Sequence, residues 1–182
     1  PITPVEPDEY DLMVDNIYYR LISLEDATLE VTGDGNAYQG DVVIPDNVEY
    51  KDKTFKVTTI KAFNNSPVTS VKIGNNVTDI NNSFNYCPNL TSIPASVKNM
   101  GGSYDHVFQN CANLSEFILE DGDEPIHIYD PNNEPFKNTP IKTLYWGRNC
   151  NQSFSFREVE TISIGKKVTE CPGIVALLGE LT

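Results

Sequence analysis

The residues of this chain that could carry out chemistry are few, and they lie far apart in the sequence. His106 and His127 are the two histidines, and neither is joined to an acid or a nucleophile in a recognisable catalytic motif. His106 falls in the loop sequence MGGSYDHVF, where we expect a solvated side chain. His127 alternates with Ile126 and Ile128, so we expect it to face solvent from a short strand. The sequence therefore predicts no catalytic residues and no enzymatic activity.

A second candidate for chemistry is a group of acidic residues in one turn, namely Glu120, Asp121, Asp123 and Glu124. The group lacks the order of alternating ligands and distal glutamate that defines a calcium loop. A zinc site is equally unsupported, because the chain has no C-x-x-C pair. We interpret the group as an acidic turn and predict no metal and no cofactor.

The four cysteines are Cys87, Cys111, Cys150 and Cys171. An even number of cysteines in an exported chain can indicate disulfides. Each of these residues nevertheless stands at a position that other repeats fill with an apolar residue, and free cysteine packs well there. We therefore predict four buried free thiols, and a bridge between Cys87 and Cys111 stays as the alternative.

The charge balance restricts the partners that the chain can have. Its 182 residues include 26 acidic and 13 basic ones, which gives a net charge of −13. This balance disfavours nucleic acids and anionic membrane surfaces as partners. It fits either simple solubility or attraction to a basic partner or to divalent cations. No apolar run approaches the length of about 18 residues that a membrane helix needs.

The elements that position these residues are indicated by a ten-residue phrase. It reads VTSVKIGNNV at Val68–Val77, IKTLYWGRNC at Ile141–Cys150 and VETISIGKKV at Val159–Val168. Apolar residues two apart point to the same side of a strand, and the glycine after them suits a change of direction. A phrase that recurs in this way indicates stacked repeats whose short strands pair in parallel. The predicted inward strand column contains Val71, Ile93, Phe117, Leu144 and Ile162, and an aromatic column ahead of it contains Phe63, Phe84, Phe108, Phe136 and Phe154.

This pattern resembles the BspA-like branch of the bacterial leucine-rich repeat family. The residues that carry the resemblance are the repeated phrase and the segments SFNYCPNLTSIPASV (Ser83–Val97) and VFQNCANLSEFIL (Val107–Leu119). The resemblance covers roughly residues 38–182. It departs from the general leucine-rich pattern because valine and isoleucine outnumber leucine, and because the asparagine column is interrupted by Lys167. The resemblance implies a curved right-handed superhelix with surface or secreted location, a role in binding or adhesion, and no shared catalytic residues.

The predicted fold class is an α/β solenoid that is mostly β, with short parallel strands, loops, short helical turns and an N-terminal β-hairpin cap. Residues 1–11 are Pro-rich and acidic, and they are interpreted as a linker. Residues 12–60 are predicted to form the β cap and a lead-in repeat, because a repeat array needs an element that covers its first open face. Residues 61–182 are predicted to form about five repeats. The last is incomplete, because Leu178–Thr182 matches the beginning of another strand.

The free positions of the strands predict one continuous concave face. One row holds Val43, Lys72, Pro94, Ile118, Tyr145 and Ser163, and the flanking row holds Asp41, Ser70, Ser92, Glu116, Thr143 and Thr161. Exposed apolar groups beside polar ones are typical of interaction surfaces. The candidate binding residues are Asp41, Val43, Lys72, Glu116, Ile118 and Tyr145.

Two functions fit this surface. The first is a non-enzymatic binding or adhesion module that recognises a protein or glycan through the concave strand face. The second is a structural spacer or assembly module of a larger bacterial surface protein, with no ligand of its own. In both cases we expect an exported protein at the cell surface, with a possible lipid anchor in a segment upstream of Pro1. The sequence does not predict an oligomeric state.

Overall fold

The computed structural model describes residues 10–33, 35–81, 83–95, 99–101, 107–129, 134–150 and 158–170. These residues form two β-sheets that are built mainly from parallel strands, and they contain no helix. A repeat fold rich in β-structure, as the sequence predicts, is therefore confirmed. The short helical turns stay a prediction, and the final strand-like segment at Leu178–Thr182 lies outside the described residues.

The six-stranded sheet takes one strand from each successive repeat, and every neighbouring pair is parallel. The alternation of apolar and polar residues in the repeated phrase turns one row inward, so Val71, Phe117 and Leu144 are buried. The pairing brings Ile93, Phe117, Leu144 and Ile162 into one register, as the columns of the sequence predict. Its strands are β4 (Gly40–Val43), β7 (Val68–Lys72), β9 (Ser92–Ala95), β11 (Glu116–Leu119), β13 (Thr143–Trp146) and β14 (Thr161–Ile164).

The eight-stranded sheet is predicted by the sequence only in its N-terminal strands. Its later members are only two or three residues long, and each contributes one apolar residue to the core. Ile60, Ile80, Met100 and Ile128 share one register and are all buried. Its strands are β1 (Leu12–Val14), β2 (Ile17–Ser23), β3 (Thr28–Gly33), β5 (Asn47–Tyr50), β6 (Lys53–Ala62), β8 (Asp79–Ile80), β10 (Asn99–Gly101) and β12 (His127–Tyr129).

The predicted N-terminal hairpin is present as β2 and β3, which pair antiparallel. The chain does not end its sheet there, because β3 also pairs in parallel with β6 and so joins the hairpin to the repeats. The predicted boundary between cap and repeats at residue 60 falls inside β6. The division into linker, cap and repeats stays a prediction.

The aromatic column of the sequence forms a continuous stack of rings along the core. Successive ring centroids lie 5.1 Å apart for Phe63 and Phe84, 5.5 Å for Phe84 and Phe108, and 5.4 Å for Phe108 and Phe136. The rings of these pairs are nearly parallel, a favourable arrangement for aromatic side chains. Three tyrosines that do not belong to the predicted column extend the stack toward the N-terminus: Tyr38, Tyr18 and Tyr10. Phe154 lies outside the described residues.

A ladder of side-chain donors accompanies this stack. The residue three places after each aromatic donates a hydrogen bond to the backbone carbonyl of the preceding aromatic. Ser66 donates to Tyr38 across 2.8 Å, and Cys111 donates to Phe84 across 2.9 Å. The full set of pairs is Ser66–Tyr38, Cys87–Phe63, Cys111–Phe84 and Thr139–Phe108. The bonds give a donor to the backbone carbonyls of Tyr38, Phe84 and Phe108. The carbonyl of Phe63 accepts two bonds, one from Cys87 and one from the backbone N–H of Ser66 at 3.1 Å.

The glycine column of the repeated phrase serves close packing between neighbouring repeats. A Cβ atom on Gly74 would lie 2.8 Å from the backbone carbon and oxygen of Pro45. A Cβ atom on Gly147 would lie 2.5 Å from the backbone nitrogen of Asp121. Neither glycine has a positive φ. From the sequence we interpret this glycine as a turn residue. The structure shows a different reason for it, namely that a side chain at this position would collide with the backbone of the preceding repeat.

Candidate functional site

The candidate binding residues all lie on the outer face of the six-stranded sheet. The polar row predicted from the sequence is a true row of register partners, running from Asp41 on β4 to Thr161 on β14. In the second row, Val43 pairs with Lys72 and Ile118 pairs with Tyr145. The inward neighbours of these residues are buried, so the two rows form the surface of a sheet whose other face is committed to the core.

The six candidates form two groups on this face. Asp41, Val43 and Lys72 lie on the neighbouring strands β4 and β7, whereas Glu116, Ile118 and Tyr145 lie on β11 and β13. Strand β9 separates the groups, and strands in a sheet lie about 4.8 Å apart. A ligand that contacts both groups must therefore span roughly 10 Å or more across the strands.

The first group combines a fixed acid with an exposed base. The Asp41 carboxylate accepts hydrogen bonds from the hydroxyls of Ser70 and Thr69, each at 2.7 Å. These bonds, first that from Ser70, lower the pKa of Asp41. Lys72 is exposed and forms no ion pair with any described residue. Beside it Val43 is 62% exposed, so an apolar side chain and a free ammonium group are presented together.

The second group is more enclosed than the sequence suggests. Glu116, Ile118 and Tyr145 are half-buried rather than fully exposed. The carboxylate of Asp121 lies near the Tyr145 hydroxyl, and a hydrogen bond between them raises the pKa of Tyr145. The ring of Tyr145 is thereby oriented beside Ile118, its register partner.

The acidic turn encloses a buried cation. Arg148 is 7% exposed, and its side chain donates to the backbone carbonyls of Glu120 at 3.0 Å and Glu124 at 3.4 Å. A Cβ atom on Gly122 would collide with the guanidinium group. Across the turn Lys167 forms an ion pair with Asp123 at 2.8 Å. The turn is thus organised by two basic residues, and the described residues contain no group of three or more His, Cys, Asp or Glu side chains that could hold a metal ion.

The cysteines divide into two kinds. Cys87 and Cys111 are free and buried, as predicted, and the alternative bridge between them is not present. The neighbouring thiol of Cys111, and then burial, raise the pKa of the Cys87 thiol. Cys150, however, is disulfide-bonded, so the prediction of four free thiols is wrong. Its backbone N–H donates to the carbonyl of Glu170 at 3.1 Å. Hydropathy does not distinguish a free cysteine from a disulfide-bonded one when both stand in an apolar column. Cys171 lies outside the described residues.

The histidines are not brought together by the described structure. His127 lies on β12 as predicted and is half-buried, and His106 lies outside the described residues. His127 ends a polar row on the outer face of the eight-stranded sheet that sequence reasoning missed. Its register partners are Asn99 and then Asp79, and the Asn99 side-chain amide donates to Asp79 at 2.6 Å. The sequence signal that could have predicted this sheet is one apolar residue in each repeat, namely Ile60, Ile80, Met100 and Ile128.

The buried acid of this second face is Glu30, which is 5% exposed. It forms ion pairs with Arg20 at 3.2 Å and Lys61 at 3.0 Å. The two basic side chains share this one carboxylate across β2, β3 and β6, so the cluster has a structural role. None of the described residues belongs to a helix long and apolar enough to cross a membrane.

Comparison with known proteins gives a family and no individual relative. Neither a curated protein nor a solved structure matches the chain. The family model described as BspA type leucine rich repeat region, in six copies, matches residues 42–155. Members of this family are typically non-enzymatic repeat modules, and the family is associated with bacterial surface proteins. Because the match covers more than half of the chain and follows the strands that repeat in register, the chain belongs to the BspA-type leucine-rich repeat family.

Proposed function

We propose that this protein is an exported, non-enzymatic binding module that recognises a protein or glycan of the cell-surface environment. Its repeats stack as a right-handed solenoid, and the ligand lies across the outer, concave face of the six-stranded sheet. The candidate contacts are Asp41, Val43, Lys72, Glu116, Ile118 and Tyr145.

The observation that carries the proposal is the composition of the two outward rows. Apolar and polar side chains are neighbours there on adjacent strands, with Val43 beside Lys72 and Ile118 beside Tyr145. Interaction surfaces combine apolar contacts with oriented polar groups in this way. The ammonium group of Lys72 is free for a ligand, whereas on the other sheet the buried carboxylate of Glu30 is already paired with Arg20 and Lys61.

Orientation of the polar groups supports binding rather than simple solvation. Asp41 is held by two hydroxyl donors, and Tyr145 is held by Asp121. Side chains that are ordered before binding lose less conformational entropy when a ligand arrives. Such an arrangement favours a ligand that spans several strands over one that fills a single pocket.

Export is supported by the disulfide at Cys150 and by the family. Disulfides persist in oxidising compartments, such as the periplasm and the cell exterior, and are rare in the cytosol. The localisation can be tested directly by expressing the full-length gene product in its native host and measuring protease accessibility on intact cells. Protection in intact cells and cleavage only after lysis would contradict export.

The binding proposal is tested with the triple variant Lys72→Ala, Glu116→Gln and Tyr145→Phe. We expect this variant to lose binding to extracellular-matrix proteins or arrayed glycans, while circular dichroism shows an unchanged fold. The matched control is the double variant Lys56→Ala and Glu25→Gln, which removes exposed charges outside this face. Unchanged binding by the triple variant would sink the concave-face proposal. If the native chain binds no ligand in either screen, the spacer or assembly role replaces it.

A further inference from the structure

A cleft of about 810 Å³ lies at the N-terminal end of the molecule, away from the centre of the outer face. It is bounded by the β1–β2 turn at Asp15, by the inner side of β2 at Tyr19, by β4 and by β5. This volume is within the range of small-molecule and peptide sites. The repeated phrase does not predict it, because the walls formed by β1 and β2 lie outside the matched repeats.

The cleft exists because the eight-stranded sheet has more strands than the six-stranded sheet at the N-terminal end of the molecule. The six-stranded sheet stops at β4, whereas the eight-stranded sheet continues past β6 through β3 and β2 to β1. Inward side chains of β2 therefore have no strand of the other sheet opposite them. The molecule thus has a part of its interior face that is open to a ligand.

A tyrosine hydroxyl that has no partner among the described residues lies in this cleft. Tyr19 is 1% exposed and lines the cleft, yet its hydroxyl makes no hydrogen bond with any described residue. Burial, and then the charge of Asp15, raise the pKa of Tyr19, so the hydroxyl stays protonated near neutral pH. A polar group of a buried side chain normally has a partner, and a ligand in the cleft would supply one.

The charged residues that line the cleft have one sign. They are Asp15, Asp41 and Glu49, and no lysine or arginine is among the lining residues. Asp41 stays ionised because the hydroxyls of Ser70 and Thr69 stabilise its carboxylate. Like charges around a concave site focus a negative potential, which attracts cations and repels anionic ligands.

Beside the cleft volume, the Tyr19 hydroxyl and the acidic lining, the site has an open strand edge at β4. The backbone N–H of Gly40 donates to the carbonyl of Pro67, the residue before β7, and the backbone N–H of Ile44 donates to the carbonyl of Lys72 at the end of β7. Backbone groups of a strand alternate between its two edges, so those of Asp41 and Val43 point away from β7. No described strand pairs with this side of β4. An unpaired edge is a template for an additional strand.

From these features we propose that the cleft binds an extended peptide segment that carries lysine or arginine, as an added strand along β4. The backbone of the segment pairs with Asp41 and Val43, its basic side chains reach Asp15 and Glu49, and an apolar side chain covers Val43. Strand addition of this kind gives affinity through the backbone and specificity through alternate side chains. The partner is thus a protein with a basic, flexible segment. This site shares Asp41 and Val43 with the proposed outer-face site and does not include Lys72, Glu116 or Tyr145.

The probe for the test is a short peptide with blocked termini in which lysine alternates with valine. Titration calorimetry measures its affinity for the full chain, and backbone NMR shifts locate it. Asp15→Asn and Glu49→Gln should each weaken the affinity about two- to fivefold, the range for a partly exposed ion pair. Tyr19→Phe should weaken it about two- to tenfold, because it removes one hydrogen bond. Asp15→Asn is a mild change, since asparagine also accepts the positive φ of 51° found there.

Two controls make the outcome decisive. A peptide with N-methylated backbone amides keeps its charge but cannot pair with β4, so it should lose binding. Glu160→Gln removes an exposed acid just before β14, at the end of the six-stranded sheet opposite β4, and should leave the affinity unchanged. The proposal is overturned if the peptide does not bind, if the N-methylated peptide binds equally well, or if Glu160→Gln weakens binding as much as Glu49→Gln does. A failure of this test leaves ligand binding through Lys72, Glu116 and Tyr145 untouched, because the variants of the two experiments change different residues.

Discussion

The thiol of Cys87 donates to the backbone carbonyl of Phe63 in the preceding repeat across 2.8 Å. Ser66 has the same relationship to Tyr38, and Cys111 has it to Phe84. Cysteine therefore occupies this column as a small donor as well as an apolar residue. The column selects for a side chain that can fill a buried corner and satisfy a carbonyl at once, which serine, cysteine and threonine can all do.

We predict that Cys87→Val destabilises the protein by about 0.5–1.5 kcal/mol, because the buried Phe63 carbonyl would lose one of its two donors and keep only the backbone N–H of Ser66. Cys87→Ser should cost less, since it keeps a donor at the same place and matches Ser66. Urea unfolding monitored by circular dichroism measures both values. If the valine variant were as stable as the native protein, the thiol would stabilise the fold only by apolar packing and not by its hydrogen bond.

The corner next to this ladder makes a second prediction. The residue two places after each aromatic has a positive φ, and three of these four positions hold asparagine: Asn65, Asn110 and Asn138. The fourth holds Tyr86, which has a φ of 56° and is 50% exposed. Asparagine tolerates this conformation better than a bulky residue does. We expect Tyr86→Asn to stabilise the protein by about 0.5–1 kcal/mol.

The matched control for this change is Asn110→Ala. It should destabilise the protein by at least a similar amount, because alanine is strained at this φ and lacks the Oδ1 that accepts a hydrogen bond from Asn138 at 3.0 Å. Thermal unfolding of both variants gives the comparison. A loss of stability in Tyr86→Asn would show that the tyrosine ring makes a contact worth more than the backbone strain.

The outer rows could be predicted from the sequence because two simple rules fix them. Side chains of a strand alternate with a period of two, and the repeated phrase keeps the same phase in each repeat. Asp41, Glu116 and Thr143 therefore fall in one row once the strands pair in parallel. The inward column of Phe117 and Leu144 follows from the same rules, and the structure confirms it.

Other features leave no such periodic trace. Strand β8 has two residues, so only Ile80 marks it, and one apolar residue is too little to define a strand. The donor ladder mixes Ser66, Cys87 and Thr139, which differ in hydropathy and so do not read as one column. The cleft depends on how many strands each sheet has, which is a property of the assembled sheets and not of any local segment.

The close approach at Gly147 gives a third prediction. An alanine there would place its Cβ 2.5 Å from the nitrogen of Asp121 and 2.6 Å from the carbonyl carbon of Glu120. Both are backbone atoms, so they cannot rotate away as a flexible side chain could. We expect Gly147→Ala to cost about 1–3 kcal/mol or more in the free energy of unfolding.

Gly35→Asn is the control for this glycine substitution. Gly35 has a φ of 55°, a Cβ atom added to it would have no other atom within 4 Å, and asparagine accepts that φ. Its stability should stay within about 0.5 kcal/mol of the native value. Equal losses in the two variants would mean that the cost at Gly147 comes from backbone freedom and not from contact with the neighbouring repeat.

The carboxylate of Asp41 makes the protein sensitive to acid in a defined direction. Hydrogen bonds from Ser70 and then Thr69 lower its pKa in the folded state. A group with a lowered pKa stabilises the fold above its unfolded pKa, and that contribution is lost as the pH falls through the folded value.

NMR titration of the Asp41 carboxyl should therefore give a midpoint below that of an unstructured aspartate. Ser70→Ala should raise that midpoint, whereas Ser163→Ala, a serine of the same sheet face on distant β14, should leave it unchanged. An identical midpoint in native protein and Ser70→Ala would show that the hydroxyl does not hold the carboxylate in solution.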